Sequence, residues 1–204
     1  MSSEIRLATP DDAGAIRDIY APVVRETAIS FQETPPSVAE FREQIADDRY
    51  PWLVYEREGR NESRGGTESE VLGFAKAGPH KSRAAYRWAV DVSAYVRADS
   101  RSSGVGTRLY DALLPVLSAQ GFYTAIAVIA LPNSASVGLH ESMGFQSVGT
   151  FESVGFKNGD WRDVGWWQRS LGERPPDPDS PKAVEGVDSE RIAAAMEGGV
   201  RERD

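Results

Sequence analysis

Arg101-Ser102-Ser103-Gly104-Val105-Gly106-Thr107 gathers a cation, hydroxyls and two glycines between two apolar runs. The run before it, Val90 to Val96, reads as a strand, and the run after it, Leu109 to Leu117, reads as a helix. A glycine-rich turn there leaves backbone N–H groups converging at the positive end of a helix dipole, where a diphosphate binds well. Gly104 and Gly106 let the backbone approach, and Arg101 adds charge at the mouth. A plain turn before a helix shares this pattern. No Gly-Lys-Ser/Thr follows, and no acid stands at dinucleotide spacing, so a mononucleotide or coenzyme diphosphate fits better than a dinucleotide.

A second constellation follows at Leu131 to Phe145. On a helix, Asn133, Ser136 or Val137, and His140 share one face, which pairs an amide and a hydroxyl with an imidazole. Histidine suits proton transfer near neutral pH, although a lone helical histidine also serves structural roles. The other histidine, His80, falls in a loop and reads as a solvated residue.

The elements that must hold these residues follow from periodicity. Strands are predicted near 4–9, 52–56, 71–77, 87–96 and 123–129, with a closing hairpin over 145–156 and 160–171. Helices are predicted over 10–23, 37–46, 107–120 and 132–143. Residues 57–69, rich in Gly, Glu and Arg, read as a mobile surface excursion. Beyond Gly172 the chain turns acidic and proline-rich, with nine acids against five bases. Residues 172–204 are therefore expected to form a mostly disordered tail behind one domain at 1–171, with a subunit-docking segment as the alternative. A short helix at 189–197 has little of its own to bury.

Composition narrows the chemistry. The 204 residues suffice for one buried core, and the chain has no cysteine. That removes disulfides, cysteine nucleophiles and thiolate metal sites, and it fits a cytoplasmic setting. A net charge of −8 argues against nucleic-acid or anionic-membrane partners, and no stretch has the length and apolarity to span a bilayer. Lys76, Lys81, Lys157 and Lys182 are the only lysines, a bias that suits a salt-adapted source.

The order strand, R-x-x-G-x-G, helix, strand, N-x-x-S-x-x-x-H-x-x-x-G-F resembles the GNAT superfamily of acetyl-CoA-dependent N-acetyltransferases. Within it the chain is most similar to the phosphinothricin N-acetyltransferase family. Segments carrying the likeness include Asp48 to Val54, Ala77 to Arg83, Ala85 to Asp91, Leu131 to Asn133, Leu139 to Glu141, Gly155 to Lys157 and Trp161 to Gln168. It runs from about Ile5 to Leu171.

The resemblance implies an α+β fold: a mixed, mostly antiparallel seven-stranded sheet with strands 4 and 5 splayed, flanked by about four helices. It implies acetyl-CoA as cosubstrate, no metal, and a homodimer. The pantetheine arm would lie along Ala94, Tyr95 and Val96, with the Tyr95 N–H polarising the thioester carbonyl. The N–H groups of Ser102, Ser103, Gly104, Val105, Gly106 and Thr107, beside Arg101, would hold the diphosphate, and Asn133 and Ser136 would touch the coenzyme. His140 would be an acid/base beside the thioester. The family's strand-4 glutamate is Asp91 here, so the carboxylate sits about one methylene further back and a relay becomes attractive. A zwitterionic substrate would meet Lys81, Arg83, Tyr86 and Arg87, with Phe31 as a wall. The expected activity is direct acetyl transfer to an amino-acid amine of the phosphinothricin or methionine sulfoximine type. Rivals are a protein N-terminal acetyltransferase and a non-catalytic acyl-CoA sensor.

Overall fold

The computed structural model describes residues 2–61 and 66–200. Strand β1 (Ser3–Leu7) leads through a single turn at Pro10–Asp12 into α1 (Ala13–Glu26). The Asp12 carboxylate fixes this entry. It accepts from the Thr9 N–H at 2.7 Å and takes both arms of the Arg6 guanidinium at 2.8 Å. Helix α2 (Val38–Ala46) starts with a reciprocal cap: Ser37 Oγ accepts from the Glu40 N–H, and the Glu40 carboxylate accepts from the Ser37 N–H.

Strands β2 (Trp52–Asn61), β3 (Gly66–Pro79), β4 (Ala89–Val96), β5 (Thr124–Leu131), β6 (Gln146–Lys157) and β7 (Asp160–Ser170) join β1 in one sheet, ordered β1-β2-β3-β4-β5-β7-β6. Every neighbouring pair is antiparallel except β4 with β5. Between them run α3 (Val105–Gln120), crossing from β4 to β5, and α4 (Ser134–Ser142), which follows β5. Alternation along the strands builds two cores. On one face Leu72, Ala75 and Val90 pack with Leu109, Leu113 and Leu117 of α3. On the other, Trp52, Val54 and Phe74 pack with Ile16, Ile19 and Phe41 of α1 and α2.

Two regions depart from the sequence reading. The expected excursion at 57–69 is largely strand: β2 and β3 stay paired as far as Asn61 opposite Gly66, and residues 62–65 lie outside the described residues. The expected disordered tail, up to residue 200, is instead docked on the domain. The Lys182 N–H donates to the Gln120 carbonyl at 2.8 Å, and Gln120 Nε2 donates back to the Lys182 carbonyl at 2.9 Å. Trp88 Nε1 donates to the Asp179 carbonyl at 2.8 Å. Helix α5 (Ser189–Val200) then lies against α3 and β1. At Gly199 the helix comes so close that a Cβ would sit 2.5 Å from the Arg108 carbonyl and 2.7 Å from Ile5 Cδ1. Such backbone bonds and close approaches compensate a small apolar face, and composition alone does not register them.

Candidate active site

β4 and β5 are paired over three positions: Ala89 with Thr124, Val90 with Ala125, and Asp91 with Ile126. Beyond Asp91 the pairing stops while β4 continues to Val96 and β5 to Leu131, so the strands part into a wedge. β4 meanwhile stays paired with β3 as far as Val96 opposite Gly73. One edge of β4 is therefore satisfied, and the other faces the opening.

The ladder decides which groups face it. The Arg97 N–H donates to Leu72 on the β3 side, and the Trp88 carbonyl accepts from Tyr123 and Thr124 on the β5 side. Strand alternation then turns the N–H and C=O of Ala94 and Val96 into the wedge and those of Tyr95 onto β3. The Tyr95 N–H, expected to face a thioester, is committed to the sheet. The Tyr95 ring stacks on Phe74 at 5.2 Å and meets Tyr20 edge-on at 4.8 Å, and burial pushes its phenol well above the ordinary tyrosine range. Its part in the wedge is to anchor β4.

Ile29, Val92, Ala94, Val128, Asn133, Ser136 and His140 line the wedge. Asn133 caps α4, with its side-chain carbonyl accepting from the Ser136 N–H at 3.1 Å. His140 is buried, 5% exposed, and its ring makes internal bonds at both nitrogens. Nδ1 lies 2.7 Å from the Ser136 carbonyl, which can only accept, so Nδ1 carries the proton. Nε2 then accepts from the Tyr110 hydroxyl at 2.9 Å. Burial lowers the His140 pKa, favouring this neutral form. The ring has no lone pair left for a substrate proton, which departs from the acid/base role expected of it.

At the loop before α3, Ser102 and Gly104 adopt left-handed conformations with φ of 61° and 84°. The first helical bond is Arg108 N–H to the Gly104 carbonyl at 3.0 Å, so the N–H groups of Val105, Gly106 and Thr107 precede the helical ladder. Arg101, Ser102, Ser103 and Gly104 are exposed beside them. Gly104 is required by its dihedral angle. Gly106 is required by packing, because a Cβ there would meet Leu139 Cδ2 at 3.1 Å. This turn fits a diphosphate, and the wedge that ends near it fits an extended acyl-pantetheine arm.

The residues expected to read the substrate divide. Lys81 places Nζ 5.3 Å from the Trp166 ring centroid, and its charge steadies the Asp91 carboxylate. Tyr86 stands edge-on to His80 at 5.8 Å. Phe31 lies on Gly155 of β6 so closely that a Cβ would fall 2.1 Å from its ring. Arg83 and Arg87 line a cleft of about 580 Å³ with Arg49 and Ser180, and Lys81 borders it as well. Arg87 is occupied there, donating to the Ala84 carbonyl and to Ser180 Oγ.

His80 was the residue that sequence reasoning missed. Its Nδ1 lies 2.7 Å from Asp91 Oδ1, and its side chain is only 10% exposed. Asp91 sits at the apex of the wedge with its pKa raised, chiefly by desolvation and against the opposing pull of His80 and Lys81. Trp166, which meets His80 edge-on at 5.6 Å, keeps a buried Nε1 with no acceptor among the described residues. A histidine eleven residues upstream of a strand acid gives no spacing signal, since only the β3–β4 turn brings them together.

A strand pair parting at a carboxylate, with a diphosphate-compatible turn opening the next helix, defines a coenzyme A-dependent acyltransferase. The chain belongs to the acetyltransferase (GNAT) domain family, which matches residues 5–166, and within it to the phosphinothricin N-acetyltransferase group. It is 41% identical to phosphinothricin N-acetyltransferase of Streptomyces viridochromogenes over 86% of this chain and 91% of that one. It is 37% identical to the L-methionine sulfoximine/L-methionine sulfone acetyltransferase of Pseudomonas aeruginosa, over 84% and 96% respectively. The crystal structure of a phosphinothricin acetyltransferase from Sinorhizobium meliloti in complex with acetyl-CoA superposes with a TM-score of 0.77. That protein is 34% identical, with 92% of this chain and 96% of that one covered.

Proposed function

We propose that this chain transfers the acetyl group of acetyl-CoA by direct attack to the primary amine of a small amino-acid-like substrate, of the phosphinothricin or methionine sulfoximine type. The observation that carries the reading is the parting of β4 and β5 immediately past Asp91, which sets open backbone donors beside a carboxylate. The names of the relatives support the substrate class.

Bound acetyl-CoA supplies the activated acyl group as a thioester. The N–H groups of the 102–107 turn, with Arg101, hold its diphosphate, and Asn133 and Ser136 flank its arm. The N–H of Ala94 or Val96, rather than that of Tyr95, receives the negative charge that develops on the carbonyl oxygen. Asp91 drives removal of the ammonium proton, directly or through a relay. His140 and Tyr110 hold α4 in place against the wedge. With no cysteine in the chain, a cysteinyl acyl-enzyme cannot form.

Lys81, beside Asp91, and Tyr86, beside His80, are the groups we assign to the substrate's acidic end and side chain. Ile29 lines the opening and Phe31 packs on Gly155 of β6, where we assign it as a wall that suits a small amine better than a polypeptide N-terminus. The chain acts in the cytoplasm on this reading, consistent with its lack of cysteine, and its negative charge disfavours nucleic acid and anionic membrane. No helix among the described residues is long and apolar enough to cross a membrane. The exposed apolar side chains of the β6–β7 hairpin support a homodimer.

Thiol release from acetyl-CoA over a panel of amino acids, phosphinothricin and methionine sulfoximine tests the function. Saturable turnover confined to small amino acids is expected. Turnover of peptides alone would favour a protein acetyltransferase, and binding without turnover of any amine would favour a sensor.

A further inference from the structure

Two histidines stand near the acyl site, and their bonding separates them. Both His140 nitrogens are engaged inside the protein. His80 engages one. Its Nδ1 meets Asp91 Oδ1 at 2.7 Å, while no group among the described residues bonds Nε2. An ionised carboxylate only accepts, so the shared proton sits on Nδ1 and the free lone pair sits on Nε2. The ring is held edge-on by Tyr86 at 5.8 Å and Trp166 at 5.6 Å, which limits its rotation. An aspartate is too short to reach far from its strand. An imidazole bonded to it carries the basic atom several ångströms further out, by the logic of a carboxylate–histidine pair.

We propose that His80 Nε2 takes the proton from the substrate ammonium, with Asp91 orienting the ring and stabilising the imidazolium. The inference rests on the acetyltransferase reading. His80 accepts one ammonium proton, and the N–H bonding pair stays on nitrogen as the lone pair that forms the C–N bond with the acyl carbon. The C–S bond then breaks with its pair on sulfur. A second nitrogen proton ends on the thiol, the amide keeps the third, and the imidazolium returns its proton to water. The titratable groups facing the imidazole are Asp91 from β4, Lys81 beside it in the loop and Tyr86 from the turn at 84–86. β7 contributes Trp166, which does not titrate.

The test compares wild type with His80→Gln, which can still donate to Asp91 but cannot carry a proton away. For His80→Gln, kcat/KM for the amine is expected to fall by about 100-fold or more, with the coenzyme Kd within about twofold of wild type. The acid-limb inflection of its pH profile should move, because Asp91 is left without its imidazole partner. Added imidazole should partly restore His80→Ala. Nitrogen-15 NMR of the wild type should show the Nδ1–H tautomer with Nε2 unprotonated. An active wild type whose His80→Gln variant keeps its rate and pH profile would overturn the proposal, as would an Nε2–H tautomer. A wild type that binds acetyl-CoA and turns over no amine would instead overturn the acetyltransferase reading beneath it.

Discussion

At the residue scale, a short list of side chains divides the chemistry. Asp91 was visible in the sequence because it occupies the place of a strand-4 acid, but its partner was not. His80 and Asp91 meet only because β3 and β4 fold back on each other across one turn, an event with no mark in local periodicity. Asp91→Asn removes the charge that stabilises the His80 imidazolium and offers Nδ1 an amide donor that favours the other tautomer, and it should lower kcat/KM by about 100-fold or more without weakening coenzyme binding. Unchanged activity across pH in that variant would remove Asp91 from the reaction. The sign of the pH dependence follows from burial. Desolvation raises the Asp91 pKa in the folded protein, so its ionised form is lost as pH falls through a value above the ordinary carboxylate range. The same raised pKa means that ionised Asp91 costs stability, so its contribution favours folding below the unfolded value and is lost as pH rises through the folded one.

His140 shows the opposite lesson. Its helical face and its residue type were legible, and its bonding was not, because the Tyr110 hydroxyl that satisfies Nε2 comes from α3, thirty residues away. His140→Ala leaves a buried hydroxyl and a carbonyl short of a partner, at about 1–3 kcal/mol for each group left unsatisfied. Thermal denaturation should show a clear loss of Tm, while the pH profile of the folded fraction keeps its shape. Loss of turnover at unchanged Tm would return proton transfer to His140.

At the element scale, the turn and the wedge have different origins. The glycine turn before α3 was readable because φ of 84° at Gly104 restricts that position to glycine, a demand any sequence displays. Gly104→Val should strain the turn, crowd the diphosphate and raise the apparent coenzyme Kd by about tenfold or more, with a smaller effect on kcat at saturation. Isothermal titration measures this directly, and an unaltered Kd would place the diphosphate elsewhere. The wedge came from resemblance rather than from periodicity. Pairing over three positions followed by divergence leaves no mark on the hydrophobic pattern of either strand. The direction of the Tyr95 N–H likewise depends on ladder parity, which only the register with β3 supplies.

At the scale of the whole molecule, the tail and the outer hairpin matter most. Composition correctly flagged 172–204 as acidic and proline-rich, yet its described part braces the face opposite α1 and α2. Gln120, 1% exposed at the end of α3, ties it to the segment before β2, donating to the Lys182 carbonyl of the tail and to the Arg49 carbonyl. The β6–β7 hairpin leaves Phe156 and Trp161 each 61% exposed, with Val148 at 60% and Phe151 at 58%. A second copy covering this face would bury it. On the homodimer proposed above, the wild type is expected to sediment as a dimer and Phe156→Asp as a monomer. A monomeric wild type would leave the face to another partner.

The most direct measurement is a crystal structure of the protein with acetyl-CoA and a small amino acid. The pantetheine arm should lie between β4 and β5 beyond Asp91, with the diphosphate on the N–H groups of residues 102–107. The amine should sit within hydrogen-bonding reach of His80 Nε2. A coenzyme bound elsewhere, or strands that close on each other with the wedge empty, would contradict it.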